Sequence, residues 1–103
     1  MTGVGGVFSA SHHSPEGVLH GHSYEVWAWF AQGRDARELQ GELHRVLGEL
    51  DHTLLPDELG WGEALAEHIA GQLPGCREVE VRRPLERIGA RWSTGGGDPA
   101  GAV

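Results

Sequence analysis

The stretch Leu19-His20-Gly21-His22-Ser23-Tyr24-Glu25-Val26 decides how this chain is organised. From Ser23 onward the residues alternate and become β-branched or aromatic, which predicts a β-strand that continues to about Ala31. Residues two apart on a strand point to the same face, so the side chains of His20 and His22 lie together. Two neutral imidazoles on one rigid element are half of a zinc site. Seven histidines in 103 residues also produce such a pair by chance.

A third histidine precedes this strand. Residues 7–12 also predict a strand, and the loop formed by residues 14–17 allows it to fold back beside the second strand. Antiparallel pairing then brings His12 across from the histidine pair, on the face that the register selects. Three imidazoles leave the fourth tetrahedral position open, which is typical of a catalytic rather than a structural zinc site. His13 faces the opposite side from His12 and is expected on the surface or in the core.

Size and composition exclude several classes of protein. A chain of 103 residues forms one small domain. It has 15 acidic and 8 basic residues and a formal charge of −7, and no basic cluster that favours nucleic acid as a partner. No apolar run has the length of a membrane span, and no signal peptide is evident. The single cysteine, Cys76, excludes a disulfide framework and fits a reducing compartment, so we expect a cytoplasmic protein.

Two helices are predicted between the paired strands and the end of the chain. Asp35 is a plausible N-cap for the first helix, which begins at Ala36. Its apolar residues recur at spacings of three and four, as expected of an amphipathic helix: Leu39, Leu43, Val46, Leu47 and Leu50. The second helix is predicted over residues 62–73 and ends before Pro74-Gly75.

Two further strands complete the predicted fold. Residues 78–82 alternate charged residues with valine, and residues 88–92 form a shorter strand. Residues 1–93 are therefore one domain, in which we expect the Gly-rich residues 1–6 to be frayed. Residues 94–103 are rich in Gly, Ala and Pro and are expected to be a disordered tail.

The order ββααββ predicts an α+β fold with a four-stranded antiparallel sheet and two helices on one face. The other face is expected to carry Trp and Val residues, which must be buried elsewhere. Open sheet edges favour pairing between subunits. A small monomer with one covered face is marginally stable, so we expect a homo-oligomer in which sheets join edge to edge.

Four motifs occur in the order found in a known family. They are Phe8-x-Ala10-x-His12, Glu16-x-x-x-His20-Gly21-His22-x-Tyr24, Leu50-Asp51-His52-x-x-Leu55 and Glu63-x-Leu65-Ala66. Over most of residues 7–92 the chain resembles a compact member of the 6-pyruvoyltetrahydropterin synthase and 6-carboxytetrahydropterin synthase family. The resemblance implies a tunnelling fold (T-fold) whose rings stack into a hexamer. It also implies a zinc ion held by His12, His20 and His22, and the small-molecule substrate dihydroneopterin triphosphate at a subunit interface.

The resemblance also implies catalytic roles. A cysteine usually acts as general base four residues before the His-Gly-His element, and here that residue is Glu16. A subgroup with glutamate there resembles a carbon–carbon cleaving type that releases 6-hydroxymethyl-7,8-dihydropterin. A carboxylate beside a zinc-bound hydroxyl can take its proton, which starts retro-aldol cleavage. Asp51 and His52 match the family's proton relay. The structural alternatives are that Glu16 is an exposed turn residue and that Asp51 favours the start of a turn.

Two departures from the family pattern affect the substrate pocket, to which Glu63 also belongs by resemblance. Arg83 stands where a glutamate accepts hydrogen bonds from the pterin ring, and a guanidinium only donates. Trp61 stands where the family has a smaller threonine. Glu86 can replace the missing acceptor, or Arg82 and Arg83 can bind a phosphate or carboxylate of another substrate. The alternative for the two arginines is an exposed strand end.

Three functions are consistent with these patterns. The first is a zinc-dependent lyase that cleaves dihydroneopterin triphosphate with Glu16 as base. The second is a zinc enzyme of the same fold with a non-pterin anionic substrate, or one with 6-carboxytetrahydropterin synthase-like activity. The third is a non-catalytic zinc-binding subunit in which Glu16 is the fourth ligand.

Overall fold

The structure, a computed structural model, describes residues 1–94 of the chain and confirms the predicted α+β fold. Its elements are β1 (Thr2–His13), β2 (Leu19–Phe30), α1 (Ala36–Leu50), α2 (Glu63–Gly71), β3 (Cys76–Arg83) and β4 (Ile88–Ser93). The four strands form one sheet in the order β1-β2-β3-β4, and every neighbouring pair is antiparallel. Of the predicted tail, Thr94 donates its N–H to the Arg77 carbonyl at 2.9 Å, and residues 95–103 lie outside the described residues.

The first strand is longer than the sequence predicts. Residues 1–6 were expected to be frayed, but β1 begins at Thr2 and pairs along its whole length with β2. Gly3 lies opposite Trp29, and Gly5 lies opposite Trp27. A Cβ atom on Gly3 would lie 2.5 Å from the Trp29 ring, so the indole packs directly over the strand backbone. Gly3 and Gly5 therefore leave room for the indole rings that pack on the strand.

Both helices pack on one face of the sheet and form the core with it. The side chain of Asp35 caps α1 by accepting the N–H of Arg37 at 2.9 Å. The predicted apolar positions of α1 are all buried, and α2 buries Leu65, Ala66, Ile69 and Ala70. They cover the sheet residues Tyr24, Val26, Ala28, Phe30, Val79 and Val81. Each fully buried aliphatic side chain contributes about 1.5–3 kcal/mol relative to exposure. No helix within residues 1–94 is long and apolar enough to cross a membrane.

The second helix is shorter than predicted, because Gly62 has a φ of 88° and cannot be its first helical residue. The segment before α2 instead contains a 3₁₀-helical turn, Asp57–Leu59. Gly60 and Trp61 follow this turn and lead into the helix. This segment brings Trp61, which packs against the core, towards the end of the sheet that carries the histidines.

The opposite face of the sheet is polar as well as aromatic. Trp27 and Trp29 stack there with ring centroids 6.2 Å apart. Around them lie ion pairs from Arg82 to Glu80 at 3.2 Å and from Arg91 to Glu78 at 3.3 Å. The expectation of a Trp and Val face was therefore only partly correct, since the β3 valines are in the core and charged residues take this side.

The edge of β1 is partly covered by the chain itself. Ser9 accepts the N–H of His52 at 2.6 Å through its carbonyl. Ser11 donates to the carbonyl of Thr53 at 3.0 Å and accepts from Leu55 at 2.8 Å. The segment after α1 thus pairs with the half of β1 that leads to the histidines. The outer edge of β4 has no partner strand within residues 1–94.

Candidate metal centre

The pairing of β1 with β2 brings the three predicted histidines together. His12 lies directly opposite His20, and His22 lies diagonally across, opposite Ala10. The ring centroids are 4.6 Å apart for His12 and His20, 4.9 Å for His12 and His22, and 4.7 Å for His20 and His22. One ring nitrogen from each histidine lies within 4.8 Å of the others, so the three can hold a metal ion.

Two ring nitrogens of this cluster are buried without a hydrogen-bond partner among the described residues. The Nε2 atoms of His12 and His22 are inaccessible to solvent and have no hydrogen-bond partner within the described residues. A buried polar atom without a partner costs about 1–3 kcal/mol and is uncommon in native proteins. A metal ion bound to both nitrogens satisfies them. The residues therefore fit a bound metal.

The surroundings of His12 and His22 favour the neutral form of these two histidines, because they lower the pKa of both. Desolvation lowers the pKa of His12, and the charges of His20 and Arg83 lower it further. Desolvation is also the main cause of the lowered pKa of His22, followed by the charge of Arg83. Neutral imidazole is the form of histidine that binds metals, so His12 and His22 would not need to lose a proton to bind one near neutral pH.

The donor set limits the choice of metal without fixing it. Within residues 1–94 the cluster consists of three imidazoles, without a thiolate or a carboxylate. Cys76 is buried at the start of β3, and burial raises the pKa of its thiol. Three histidines suit a zinc ion with an open fourth position, while imidazole also suits copper, nickel and iron. His20 is exposed, so the cluster opens to solvent on its side.

Gly60 and Tyr24 support the buried side of His12. A Cβ atom on Gly60 would lie 2.7 Å from His12 Nδ1, so only glycine allows the imidazole to lie where it does. The hydroxyl of buried Tyr24 donates to the Gly60 carbonyl at 3.1 Å and holds this backbone in place. Burial raises the pKa of Tyr24, which keeps the hydroxyl protonated as a donor. Sequence reasoning missed Gly60 as a site residue, because a lone glycine before a helix has no sequence signal for such a contact.

Three of the predicted substrate-binding residues meet beside His22. The Arg83 guanidinium lies over the Trp61 ring, 5.0 Å from the centroid, and its side chain is only 14% exposed. Arg83 Nε lies 3.4 Å from Glu86 Oε1, and Glu86 Oε2 lies 3.6 Å from His22 Nδ1. Desolvation pushes the pKa of Glu86 upward, but the hydrogen bond and charge of Arg83 outweigh it and the pKa is lowered. Arg83 is thus part of the surroundings of the histidines and not an exposed strand end.

Asp51 and His52 form a pair at the covered edge of β1. Asp51 Oδ1 accepts the N–H of Ser9 at 2.8 Å, and Asp51 Oδ2 lies 2.8 Å from His52 Nδ1. The hydrogen bond from Ser9 is the main cause of the lowered pKa of Asp51, and His52 adds to it. His52 has a φ of 58°, and its side chain is 83% exposed. The two neighbours therefore contact each other directly, which their adjacency in sequence does not require.

A cavity of about 480 Å³ connects this pair with the histidine cluster. It is lined by Ser9, Ala10, Ser11, Gly21, His22, Ser23, His52, Thr53, Leu85 and Glu86. Of the three clustered histidines, only His22 borders it. A ligand in this cavity would lie between a candidate metal ligand and the imidazole of the Asp51–His52 pair.

The two remaining predicted site residues are exposed and do not belong to the cluster. Glu16 is exposed in the turn between β1 and β2, directly beyond the strand ends that carry His12 and His20. Glu63 is the exposed first residue of α2. Among the described residues, neither carboxylate belongs to the group of ligand atoms around the three histidines.

No family model matches the chain, and a search of curated proteins finds no significantly similar sequence. What the sequence and structure establish together is a ββααββ fold with a four-stranded antiparallel sheet and a cluster of three histidines that can hold a metal ion.

Proposed function

We propose that this protein is a zinc-dependent lyase of the pterin synthase type, with 7,8-dihydroneopterin triphosphate or a close analogue as substrate. The observation that carries the proposal is the three-histidine cluster, in which two buried Nε2 atoms have no partner within the described residues. His12, His20 and His22 would hold the zinc. The exposed side of His20 leaves room for a substrate oxygen.

When bound by His12, His20 and His22, a zinc ion would supply Lewis-acid polarisation of a substrate oxygen and a lowered pKa of a bound hydroxyl. Glu16 then takes the proton of the side-chain hydroxyl, which starts retro-aldol cleavage. The carbon–carbon bond between the two hydroxyl-bearing carbons of the side chain breaks, and its electron pair moves into the dihydropterin ring system. The deprotonated hydroxyl becomes the carbonyl of the second product, an aldehyde that carries the triphosphate and leaves the site. His52, held at Nδ1 by Asp51, returns a proton to the carbon that has lost its substituent. Release of 6-hydroxymethyl-7,8-dihydropterin completes the reaction.

The proposal is tested by incubating the zinc-loaded protein with 7,8-dihydroneopterin triphosphate and identifying the products by mass spectrometry. We expect 6-hydroxymethyl-7,8-dihydropterin from the wild type and none from His20→Ala. Formation of a 6-carboxy- or 6-pyruvoyl-tetrahydropterin product would replace the retro-aldol assignment with another reaction of the same family type. Unchanged substrate in the presence of bound zinc would refute the lyase.

A second candidate, a zinc enzyme with a non-pterin anionic substrate, is favoured by Arg83. Its guanidinium lies on Trp61, and its charge lowers the pKa of His12 and His22. Arg83 can form charge-assisted hydrogen bonds with a carboxylate or phosphate, but it cannot accept the hydrogens of a pterin ring.

Arg83→Glu and Glu86→Ala separate the two candidates. If Glu86 anchors a pterin, Glu86→Ala should weaken pterin binding by roughly tenfold or more, and Arg83→Glu should gain little. If the substrate is a different anion, the wild type should not bind pterins and Arg83→Glu should create that binding. Tight wild-type pterin binding that survives Glu86→Ala would contradict both accounts.

The protein is also proposed to be a homo-oligomer. The outer edge of β4, which has no partner strand among residues 1–94, supports this, as do the apolar side chains exposed at the β3–β4 turn, Leu85 and Ile88. Light scattering at micromolar concentration should report a trimer or hexamer. A monomer would contradict the proposal.

A further inference from the structure

We propose that Glu86 is a positioning residue of the metal centre, which holds the Nδ1 side of His22 so that Nε2 faces the metal. Glu86 Oε2 lies 3.6 Å from His22 Nδ1, while His22 Nε2 is buried without a partner within residues 1–94. The inference rests on the metal site of the proposed function. It assigns to Glu86 a role distinct from the substrate contact predicted from the sequence.

The chemistry of the two groups supports this orientation. A neutral imidazole carries one proton, and a carboxylate only accepts hydrogen bonds. The nitrogen beside Glu86 is therefore the protonated one, and the lone pair lies on Nε2. The distance of 3.6 Å is a few tenths of an ångström longer than a direct hydrogen bond, so with a neutral imidazole the contact is a weak electrostatic one. A carboxylate behind a metal-binding histidine fixes the ring orientation and increases the basicity of the ligand nitrogen.

Glu86 also changes the electrostatic potential at the metal site, because it partly neutralises the charge of Arg83. Arg83 Nε lies 3.4 Å from the other Glu86 oxygen, and the Arg83 guanidinium is stacked on Trp61. This stacked arginine anchors the carboxylate from one side. Its positive charge also lies near enough to His12 and His22 to disfavour a second cation there. Glu86 offsets that charge, so its orienting and electrostatic effects must be measured separately.

The experiment measures the Kd for zinc by competition with a chromogenic chelator. Glu86→Ala should weaken zinc binding roughly 10–100-fold, the range found for groups behind metal ligands. Glu86→Gln keeps an oxygen that can accept from Nδ1 and should lose less. Arg83→Gln should bind zinc at least as tightly as the wild type. The double variant Arg83→Gln/Glu86→Ala should remain roughly tenfold weaker than Arg83→Gln, because removal of the arginine does not restore the orientation of His22.

Glu80→Gln is the matched control. Glu80 also pairs with arginines, Arg82 at 3.2 Å and Arg91 at 3.8 Å, but on the face of the sheet away from the helices. It should leave the zinc Kd unchanged. As a second measurement, long-range ¹H–¹⁵N spectra of the zinc-loaded wild type should show His22 bound through Nε2 and protonated at Nδ1.

Coordination of His22 through Nδ1 would overturn the inference. So would unchanged zinc affinity in Glu86→Ala, or a double variant that binds as tightly as Arg83→Gln. In these cases the wild type still binds zinc and the proposed function stands. A wild type that binds no zinc would overturn both.

Discussion

The three clustered histidines and the Asp51–His52 pair differ in what their nitrogens contact. In the cluster, the Nε2 atoms of His12 and His22 are buried and have no partner within residues 1–94. In the pair, His52 Nδ1 lies 2.8 Å from a carboxylate, and the side chain is 83% exposed. A buried nitrogen without a hydrogen-bond partner indicates a site that binds a metal ion or another ligand. A histidine held by a carboxylate and open to solvent is suited to proton exchange.

The two regions also differ in how the fold holds them. The clustered histidines lie on paired strands, where the register fixes their spacing. The pair lies after α1, where hydrogen bonds between residues 51–55 and the β1 edge fix the backbone. Both border or approach one cavity, through His22 and His52. The comparison predicts two separate roles, in which the cluster binds a metal and the Asp51–His52 pair transfers protons.

The largest expected effect is the loss of metal in His20→Ala. His20 is exposed, so its removal leaves the core intact while it deletes one of three ligands. Metal analysis by mass spectrometry should find about one zinc per chain in the wild type and almost none in this variant. His52→Ala is the matched control and should retain its zinc. Full zinc content in His20→Ala, or zinc loss in His52→Ala, would reverse the assignment of the two regions.

The next effect concerns catalysis by the pair. His52→Ala should lower kcat roughly 100-fold or more, because a positioned general acid or base contributes at least that much. Its thermal stability should change little, since the side chain is 83% exposed. Steady-state kinetics on zinc-loaded protein check this. Activity close to wild type would remove His52 from the reaction and leave the Asp51–His52 pair a purely structural role.

A smaller effect is expected from Gly60→Ala. The new Cβ atom would lie 2.7 Å from His12 Nδ1, so the imidazole must move away from its position in the cluster. Gly60 has φ −60° and ψ −26°, which alanine adopts without strain. Zinc affinity should fall roughly tenfold, the scale of a disturbed ligand orientation.

Gly48→Ala is the control for this substitution. Gly48 lies in α1, where a Cβ atom has no neighbour within 4 Å among the described residues. It should gain about 0.5–1 kcal/mol in helix stability and leave zinc affinity unchanged. Equal zinc affinities in both alanine variants would show that Gly60 does not position His12.

The smallest effect is on the pH dependence of stability without metal. The pKa values of His12 and His22 are lowered in the folded protein, so between those values and about 6.5 the unfolded chain binds more protons. Stability should therefore decrease as the pH falls below about 6.5. The Tm of the metal-free protein at pH 7.5 and pH 5.5 measures this, and the decrease should be smaller in His12→Leu. A Tm that does not change over this interval would contradict the lowered pKa values.

The elements of the fold were predictable because each has a local pattern. The spacing of Leu39, Leu43 and Leu50 marks α1, and the alternation around Val79 and Val81 marks β3. The predicted start of β1 was wrong. Glycines at a chain end indicate fraying, and the sequence does not show that Trp27 and Trp29 lie opposite Gly5 and Gly3 and pack on them. Pairing between β1 and residues 51–55 uses backbone groups, which leave no sequence signal.

The cluster of three histidines was predictable for the same reason, and its surroundings were not. His20 and His22 are two apart on a strand, and hairpin pairing brings His12 opposite. Arg83 was singled out as a departure from a motif and as a residue that can bind an anion, but not as a neighbour of the histidines. Its stacking on Trp61 depends on how the segment before α2 lies against β3, which no periodicity encodes. The contact of Gly60 with His12 depends on the same packing.

The coordination of the bound ion tests the central claim most directly. X-ray absorption at the zinc edge should show three imidazole nitrogens at about 2.0–2.1 Å and one oxygen, and this spectrum should be unchanged in Glu16→Gln. That result describes an open site with a replaceable ligand. A fourth ligand that disappears in Glu16→Gln would show a site closed by the protein, and fewer than three imidazoles would contradict the assignment of His12, His20 and His22.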